Sequence, residues 1–450
     1  MMSEFLLELY SEEMPPNLQV NARIELHEKI EKSLAEKSFK FDTVNSFSSP
    51  TRLVILIKDL ANKIQISSKE IRGPKVGVIE DIINNFLRAH NCVHKDLFKK
   101  DTDRGTFYFI KTKAKEILID ELLKEIVVNS IASIKWKKSM RWADTDLLWG
   151  RPLRSIMAIY NKKVLSFTYG HLKANEFTFI EKDLDLQSKK IANFNEYKKL
   201  LSKNNVILNQ NDREKKITKK FANICKLKNF KNLYDQKLLN EVTNIVEDPN
   251  VLLINFDKKY LDLPKEIIIS TLQNHQRYFP IFDNKGDITN YFFVVANKKD
   301  ERNIIKEGNK RVVEARLSDA KFFWDKDKSK NLIKQIAILK QIKFYENLGT
   351  IYDKTQRLRK LCGMIADNLN LNKEKAEIAA SISKSDLSSD LVGEYPDLQG
   401  LMGKYFALSQ GFDEDVANAV SDHYLPIGTN SSTPKKPISY TVAIADKIDT

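Results

Sequence analysis

The chain has 450 residues, of which 42% are hydrophobic, 30% charged and 10% aromatic. This balance is typical of globular domains and excludes a disordered chain, a fibre and a disulfide-stapled mini-protein. Lysine and arginine number 74 against 60 aspartates and glutamates, which gives a formal net charge of +14. Three widely spaced cysteines fit neither a disulfide framework nor a zinc-binding pattern, and they indicate a reducing compartment.

Residues 1–120 are predicted to form an α+β domain. The sequence begins with acidic residues where a signal peptide carries positive charge, and no apolar run reaches the roughly 20 residues that cross a bilayer. We therefore expect a cytoplasmic protein without a membrane segment. Pro15 and Pro16 start a helix whose apolar residues recur every four positions. Apolar and β-branched runs predict strands at 5–9, 51–57 and 105–111.

Residues 121–330 are predicted as a second α+β region with a basic helical insertion at 189–231. Its strands are predicted at 155–160, 251–256, 266–271 and 291–296. The insertion holds 13 basic and 3 acidic residues, and a charge so concentrated favours a polyanionic partner. A solvated helical face would also account for this charge, and so would A/T-rich coding, which enriches lysine whatever the function.

Residues 331–450 are predicted to be entirely helical. Apolar residues at helical spacing between Ile333 and Ile342 share one face, and Leu348-Gly349 predicts the end of that helix. Further helices are predicted at 355–368, 373–393 and 397–408. The last residues continue a helical pattern without a cap, so we expect the chain to be truncated there.

A tryptophan-rich stretch from Trp136 to Arg154 is the most distinctive local feature. Three of the four tryptophans fall within 14 residues, and five cationic residues accompany them. Unpaired bases stack on aromatic rings while cations neutralise phosphates, so this mixture suits RNA. Alternatively, the tryptophans anchor the core and the arginines satisfy buried carbonyl or carboxylate groups. We expect a polar functional role for at least one arginine.

The segment 305–324 predicts an amphipathic basic helix. Val313, Leu317 and Phe323 are expected to pack inward. The cationic residues of this helix are Lys306, Lys310, Arg311, Arg316 and Lys321. A polyanion-binding face and a merely solvated face account for this pattern equally well.

Carboxylates in the helical region raise the question of a metal site. Asp386 and Asp390 are four residues apart and are predicted to share a helix face. Further candidates to converge with them are Glu394, His423, Asp446 and Asp449. Such a cluster would fit a metal-dependent phosphohydrolase, but it lacks the histidines that this site needs, so a structural role is favoured. The sequence contains no P-loop, dinucleotide-binding, zinc-protease or serine-hydrolase motif.

Long motifs along the whole chain resemble the β-subunit family of heterotetrameric bacterial glycyl-tRNA synthetases. In chain order they are FLLELYSEEMPP, PTRLVILI, RGPKVG, MRW…GRPLR, LPKEIIISTLQNHQRYFP, VVANK…GNKRVVEARLSDAKFFW, NLGTIYDKTQRL, SDLSSDLVGEYPDLQGLMGKYFAL, DHYLP and ADKIDT. With so many motifs in order, the chain is identified as a member of that family.

The resemblance implies a class II, two-subunit enzyme that attaches glycine to its tRNA with ATP. In that family the α subunit holds the adenylate-forming site, where ATP and Mg²⁺ are expected, and the β subunit binds tRNA and is required for aminoacylation. It follows that this chain would bind tRNA(Gly), assemble into an α2β2 heterotetramer, hold no cofactor and be inactive alone. Family members continue into an α-helical anticodon-binding domain, which we expect to be missing from this chain.

The helical third region resembles a degenerate HD domain. Asp386 stands where true HD hydrolases carry a His-Asp pair, and Ser385 replaces the histidine. His423 and Asp446 occupy the other HD-like positions. The missing imidazole argues against hydrolysis and against tight metal binding.

We therefore predict a tRNA-binding and assembly subunit without catalytic or metal-binding residues. Basic side chains would hold the tRNA backbone so that its acceptor end reaches the active site of the partner. The predicted tRNA contacts are Lys137, Lys138, Arg141, Arg151, Arg154, Lys215, Lys216, Lys219, Lys220, Lys310, Arg311 and Arg316. Two rival hypotheses stay open: an HD-type metal phosphohydrolase acting alone, and a stand-alone RNA-binding protein.

Overall fold

The computed structural model describes residues 3–66, 70–111, 115–142, 144–182 and 185–450. The chain folds into two compact units, residues 1–215 with 240–248 and residues 216–239 with 249–450. Antiparallel sheets dominate the first unit and helices the second, which confirms the predicted α+β class with a helical C-terminal region. The division into three regions stays a prediction, because compactness alone does not mark which segments fold independently.

The strands follow one another most densely in the first half of the chain. They are β1 Glu4–Ser11, β2 Thr43–Ser49, β3 Arg52–Lys58, β4 Lys63–Ile66, β5 Glu70–Lys75, β6 Leu97–Thr102, β7 Gly105–Lys111, β8 Lys115–Leu118, β9 Met140–Arg141, β10 Leu148–Trp149, β11 Leu153–Tyr160, β12 Lys163–Val164, β13 Thr168–Tyr169, β14 Leu172–Lys173, β15 Phe177–Lys182, β16 Asp185–Lys190, β17 Asn250–Asn255, β18 Phe279–Phe282, β19 Ile288–Ala296, β20 Lys343–Tyr345 and β21 Gly349–Thr350. Six of the predicted strands are confirmed as β1, β3, β7, β11, β17 and β19.

The helices fill most of the second half. They are α1 Pro16–Glu36, α2 Glu80–Ala89, α3 Ile119–Ala132, α4 Phe194–Lys203, α5 Gln210–Lys228, α6 Gln236–Thr243, α7 Lys265–Ser270, α8 Ile304–Lys328, α9 Leu332–Gln335, α10 Ile351–Asn368, α11 Lys373–Ile382, α12 Asp390–Glu394, α13 Leu401–Ser409, α14 Glu414–Asp422 and α15 Pro437–Ile448. No helix within the described residues is both long and apolar enough to cross a membrane.

The first unit is built on a five-stranded antiparallel sheet in the order β12-β11-β1-β3-β2. Leu7 of the central strand β1 lies in a buried cluster with Leu26 of α1 and Leu123 of α3. Its neighbour Leu6 points to the other face, into a cluster with Leu201 of α4. Because helices cover both faces of the sheet, the interior of β1 is apolar on both faces apart from the buried Glu8, and this pattern made it predictable.

The second unit contains a three-stranded antiparallel sheet in the order β17-β19-β18. Val313 and Leu317 of α8 pack into one buried cluster with Phe292 of β19, as the amphipathic pattern predicted. The same cluster continues through Leu358 of α10 to Val442 of α15. One hydrophobic core therefore unites the small sheet with the helical region.

The strand predicted at 266–271 is wrong, because this segment is helical. Pro264 precedes α7, and a π-helix over Thr271–His275 continues it. Ile268 and Leu272 are four residues apart and fully buried. A short β-branched run is compatible with a buried strand and with a buried helix, so periodicity could not separate the two.

The long helix predicted to end at Leu348-Gly349 is also wrong. Helix α9 passes into a 3₁₀ turn at Ile336–Gln341, and the β20–β21 hairpin follows. Asn347 and Gly349 both have positive φ, which places a tight turn where the helix end was predicted. Apart from this hairpin, the regular secondary structure of residues 331–450 is helical.

Candidate functional site

The tryptophans of the tryptophan-rich stretch lie in the core of the first unit or pack against it. Trp149 is fully buried, and its ring centroid lies 4.7 Å from that of Trp136. A Cβ added at Gly150 would lie 2.5 Å from the Trp136 ring, so only glycine fits there. Trp142 packs against the same buried cluster. The core-anchor interpretation of these tryptophans is therefore correct.

The cations of this stretch lie outside that core. Lys137 and Lys138 are exposed. The remaining predicted contacts are arginines with protein partners: Arg141 pairs with Asp146 at 3.3 Å, Arg154 pairs with Glu12 at 2.8 Å, and Arg151 donates to the Gly150 carbonyl. An exposed ion pair stabilises a protein by at most about 1 kcal/mol, so Arg141 and Arg154 can still exchange their carboxylate partners for a phosphate group.

Arg213, the sole arginine of the basic stretch 189–231, is a structural residue. Its guanidinium is fully buried and donates hydrogen bonds to the carbonyl oxygens of Ser48, Ile207, Leu208 and Thr243. Burial lowers the pKa of Arg213 to about 10. The group remains charged at neutral pH, and its donors are occupied by backbone carbonyls.

The lysines of α5 are arranged differently. Lys215, Lys216, Lys219 and Lys220 are exposed along the helix, whereas Ile217 and Phe221 are buried. Within the second unit, a pocket of about 420 Å³ opens beside α5. It is lined by Lys216, Lys219, Lys220, Asn223, the segment 249–252, Lys299 and Asp300. The structure thus gathers three of the predicted contacts around one concavity and adds Lys299, which was not predicted from the sequence.

The predicted contacts of α8 do not line this pocket. Lys310 is half-buried and Arg311 is exposed. Arg316 forms an ion pair with Glu394 at 3.1 Å, and both side chains are about half exposed. This helix therefore presents a charged outer face.

Asp386 and Asp390 do not share a helix face, so that prediction is wrong. Ser389 between them is extended and caps α12, which turns the two carboxylates apart. Asp386 is buried and accepts hydrogen bonds from the backbone N–H groups of Gly400 and Gly403, at 2.5 Å and 3.0 Å. Asp390 lies at the surface within 3.1 Å of two lysine ammonium groups. Burial raises the pKa of Asp386 to about 6.

Two buried lysines occupy the HD-like centre. The Nζ atoms of Lys354 and Lys384 each lie 3.3 Å from Oδ1 of Asp446, and Lys354 also approaches Asp449 at 3.4 Å. Burial lowers the pKa of Lys384 to about 8. Burial opposes ionisation of Asp446 as well, but the ammonium charges of Lys384 and Lys354 outweigh it and lower the pKa of this carboxyl.

His423 is held as a neutral imidazole beside these charges. Its Nδ1 lies 2.7 Å from the Val420 carbonyl, which can only accept, so Nδ1 carries the proton. Burial, with repulsion from Lys384, lowers the pKa of His423 to about 3. The Nε2 atom is buried without a hydrogen-bond partner among the described residues.

This donor set does not fit the metal ion of a true HD hydrolase. The ammonium group of Lys384 stands at Asp446, where a second cation would be repelled. Over the described part of the chain, no three histidine, cysteine, aspartate or glutamate side chains lie close enough to hold a metal ion. The lysines instead neutralise the carboxylates from within the protein.

Comparison with known proteins decides the family. The family model described as glycyl-tRNA synthetase beta subunit matches residues 5–450. The chain belongs to that family. The glycine–tRNA ligase beta subunits of Rickettsia felis and Rickettsia canadensis are 37% and 38% identical to it over 452 residues, across 100% of this chain. The matches cover 67% and 66% of these relatives, so the chain spans about two thirds of their length.

The site residues of this β-subunit family member that the sequence analysis did not predict are lysines. Their roles depend on tertiary contacts. Lys384 is two positions from Asp386, and this proximity was the one available signal. Lys354 lies 92 residues before Asp446, and Lys299 lies in a loop after β19. Neither position carries a local pattern that separates it from the many other lysines of the chain.

Proposed function

We propose that this chain is the tRNA-binding and assembly subunit of a glycine–tRNA ligase. Its α-subunit partner would complete an α2β2 heterotetramer and would carry ATP, Mg²⁺ and the steps of glycine activation and transfer. The chain itself would hold no cofactor, would be inactive alone and would work in the cytoplasm.

The observation that carries this proposal is the pocket beside α5, where lysines from two separate segments converge in a member of this family. Its relatives are glycine–tRNA ligase beta subunits, a name that implies a second kind of subunit in those proteins. Lysines that hold the sugar–phosphate backbone position an RNA without reacting with it. Such positioning can contribute several kcal/mol to lowering a barrier when the reacting groups belong to another subunit.

The HD-type phosphohydrolase is the weaker hypothesis. The HD-like positions hold two aspartates, Asp386 and Asp446, and the buried His423, and the ammonium group of Lys384 lies 3.3 Å from Asp446. A phosphohydrolase would also require a divalent ion that this donor set does not fit.

The test is glycylation of tRNA(Gly) by the 450-residue chain with and without a purified α subunit. We expect glycyl-tRNA only from the mixture, and tRNA binding by the chain alone. Glycylation by the chain alone would contradict the proposed division of labour. Equal glycylation by the α subunit without the chain would leave the chain without the proposed role.

A further inference from the structure

We infer that the pocket beside α5 is a binding site for the backbone phosphate groups of RNA, with Lys219, Lys220 and Lys299 as its principal cations. This inference rests on the proposed tRNA-binding function and deepens it by naming the site and its chemistry. Lys299 is proposed as a phosphate contact that neither the sequence pattern nor the family match assigns.

Packing on the inner side of α5 fixes which residues face the pocket. The Phe221 ring stacks on Phe293 of β19 with centroids 4.4 Å apart and meets Phe279 of β18 edge-on at 4.9 Å. Residues three or four positions apart share a helix face, so Lys216, Lys220 and Asn223 form an outward stripe, with Lys219 beside it. The sheet therefore holds the helix with its lysines turned toward the pocket.

The second side of the pocket comes from a distant part of the chain. Lys299 and Asp300 lie between the end of β19 and the start of α8. The two carboxylate oxygens of Asp300 accept hydrogen bonds from the backbone N–H groups of Ile305 and Lys306. The single acidic side chain of the pocket is thus engaged by the first turn of α8, where an anion is favoured by the helix dipole.

Three of the four lysines that line the pocket carry charges that no carboxylate of the described residues neutralises. Four lysines and one aspartate line it. Over the residues that the structure describes, no carboxylate oxygen lies within 4 Å of the ammonium groups of Lys219, Lys220 or Lys299. Like charges gathered at a concave surface raise the local potential and attract polyanions.

The chemistry of the lining points to phosphate groups and not to bases. Ammonium groups are point charges that neutralise phosphates without the planar geometry that arginine offers to base edges. Among the described residues, no aromatic side chain lines the pocket for base stacking, and the amide group of Asn223 supplies further polar atoms. Contacts of this type position an RNA and carry no sequence information.

The experiment compares two variants of the 450-residue chain. One carries Lys219→Ala, Lys220→Ala and Lys299→Ala. The matched control carries Lys226→Ala and Lys228→Ala, which are exposed lysines of the same helix outside the pocket. Lys216 is kept because it also makes a contact within the protein. Binding of tRNA(Gly) is followed by fluorescence anisotropy over a range of salt concentrations, and circular dichroism verifies the fold.

In the pocket variant we expect the slope of log affinity against log salt to become shallower by about one unit for each lysine that contacts a phosphate. The affinity at moderate salt should fall roughly tenfold or more, and the control should retain the wild-type slope. A folded pocket variant with the wild-type slope and affinity would overturn the inference and leave the proposed function standing. A wild-type chain that does not bind tRNA would overturn both.

A separate arm distinguishes RNA from a small phosphorylated ligand. Inorganic pyrophosphate is titrated into the wild-type chain and the pocket variant by calorimetry at constant ionic strength. We expect no binding in the micromolar range for either protein. Micromolar pyrophosphate binding that disappears in the pocket variant would assign the pocket to a free phosphorylated ligand and overturn its assignment to RNA.

Discussion

Two groups of lysines in the second unit use the same side chain in opposite ways. The pocket lysines, Lys219, Lys220 and Lys299, are solvent-exposed and have no carboxylate within 4 Å in the described parts of the chain. The buried lysines, Lys354 and Lys384, lie within 3.4 Å of aspartates in the HD-like centre. Positive charge that is matched inside the fold is structural, whereas unmatched charge at the surface is available to a partner.

The largest effect should follow when the buried lysines lose their shared partner. Asp446→Ala leaves two ammonium groups buried beside less negative charge, and we expect a loss of about 3–5 kcal/mol in the free energy of unfolding. Urea denaturation measures it. The control is Asp390→Ala, which removes a surface partner of Lys326 and Lys330 and should cost less than about 1 kcal/mol. Equal losses of unfolding free energy in the two variants would mean that burial does not make the Asp446 ion pairs more important for stability than the exposed Asp390 pairs.

A second prediction extends the comparison to the basic stretch itself. Arg213→Met leaves four carbonyl groups, three of them in fully buried hydrogen bonds, without their donor, and we expect a loss of about 3 kcal/mol in unfolding free energy. The salt dependence of tRNA binding by the folded variant should not change. Lys226→Met on the same helix is the control and should alter stability by less than about 0.5 kcal/mol. A shallower salt slope for the Arg213 variant would place that residue at the RNA surface after all.

The pH dependence of stability offers a third contrast. The folded protein holds Lys384 with its pKa at about 8, below the ordinary value that the unfolded chain keeps. At pH values between the folded and unfolded pKa of Lys384, the unfolded chain therefore binds more protons at this residue than the folded protein does. Lys384 thus makes the stability of the protein rise with pH in this range. The wild type should gain roughly 1 kcal/mol relative to Lys384→Met between pH 8 and pH 9. Parallel stability curves for the two proteins would show that Lys384 does not titrate in this range.

The smallest effect should come from the exposed ion pairs of the first unit. Arg154→Ala removes a pair with Glu12 in which both side chains are about half exposed. We expect a change of less than about 0.5 kcal/mol in thermal or urea unfolding. A loss of more than about 1 kcal/mol would show that this arginine supports the fold, contrary to its exposure.

The sequence was sufficient to predict helices and strands that have a local residue pattern. It was not sufficient where tertiary contacts determine the secondary structure. The apolar run of β1 and the four-residue periodicity of α1 were sufficient to place both elements. The segment 266–271 was not predicted correctly, because a buried helix and a buried strand both require an apolar run. The helix end predicted at Gly349 failed because the positive φ of this glycine serves the turn of a hairpin.

The site shows the same limit. The charge of α5 could be predicted from composition, because its lysines are clustered along the chain. The burial of Arg213 among these lysines could not be predicted, because two of its hydrogen-bond partners, Ser48 and Thr243, are far away in sequence. The opposite orientations of Asp386 and Asp390 depend on the extended backbone at Ser389, which residue spacing does not reveal.

The stack of Phe221 on Phe293 has a consequence for the selectivity of the pocket beside α5. It holds the helix backbone firmly, while each lysine reaches the pocket on a flexible four-carbon chain. A fixed helix backbone with flexible lysine side chains can contact the phosphates of many RNA segments. Binding at this pocket should therefore depend on the charge density of the RNA more than on its shape. Unrelated RNAs of equal length should then compete for this pocket about equally, and discrimination in favour of one tRNA has to arise at other contacts.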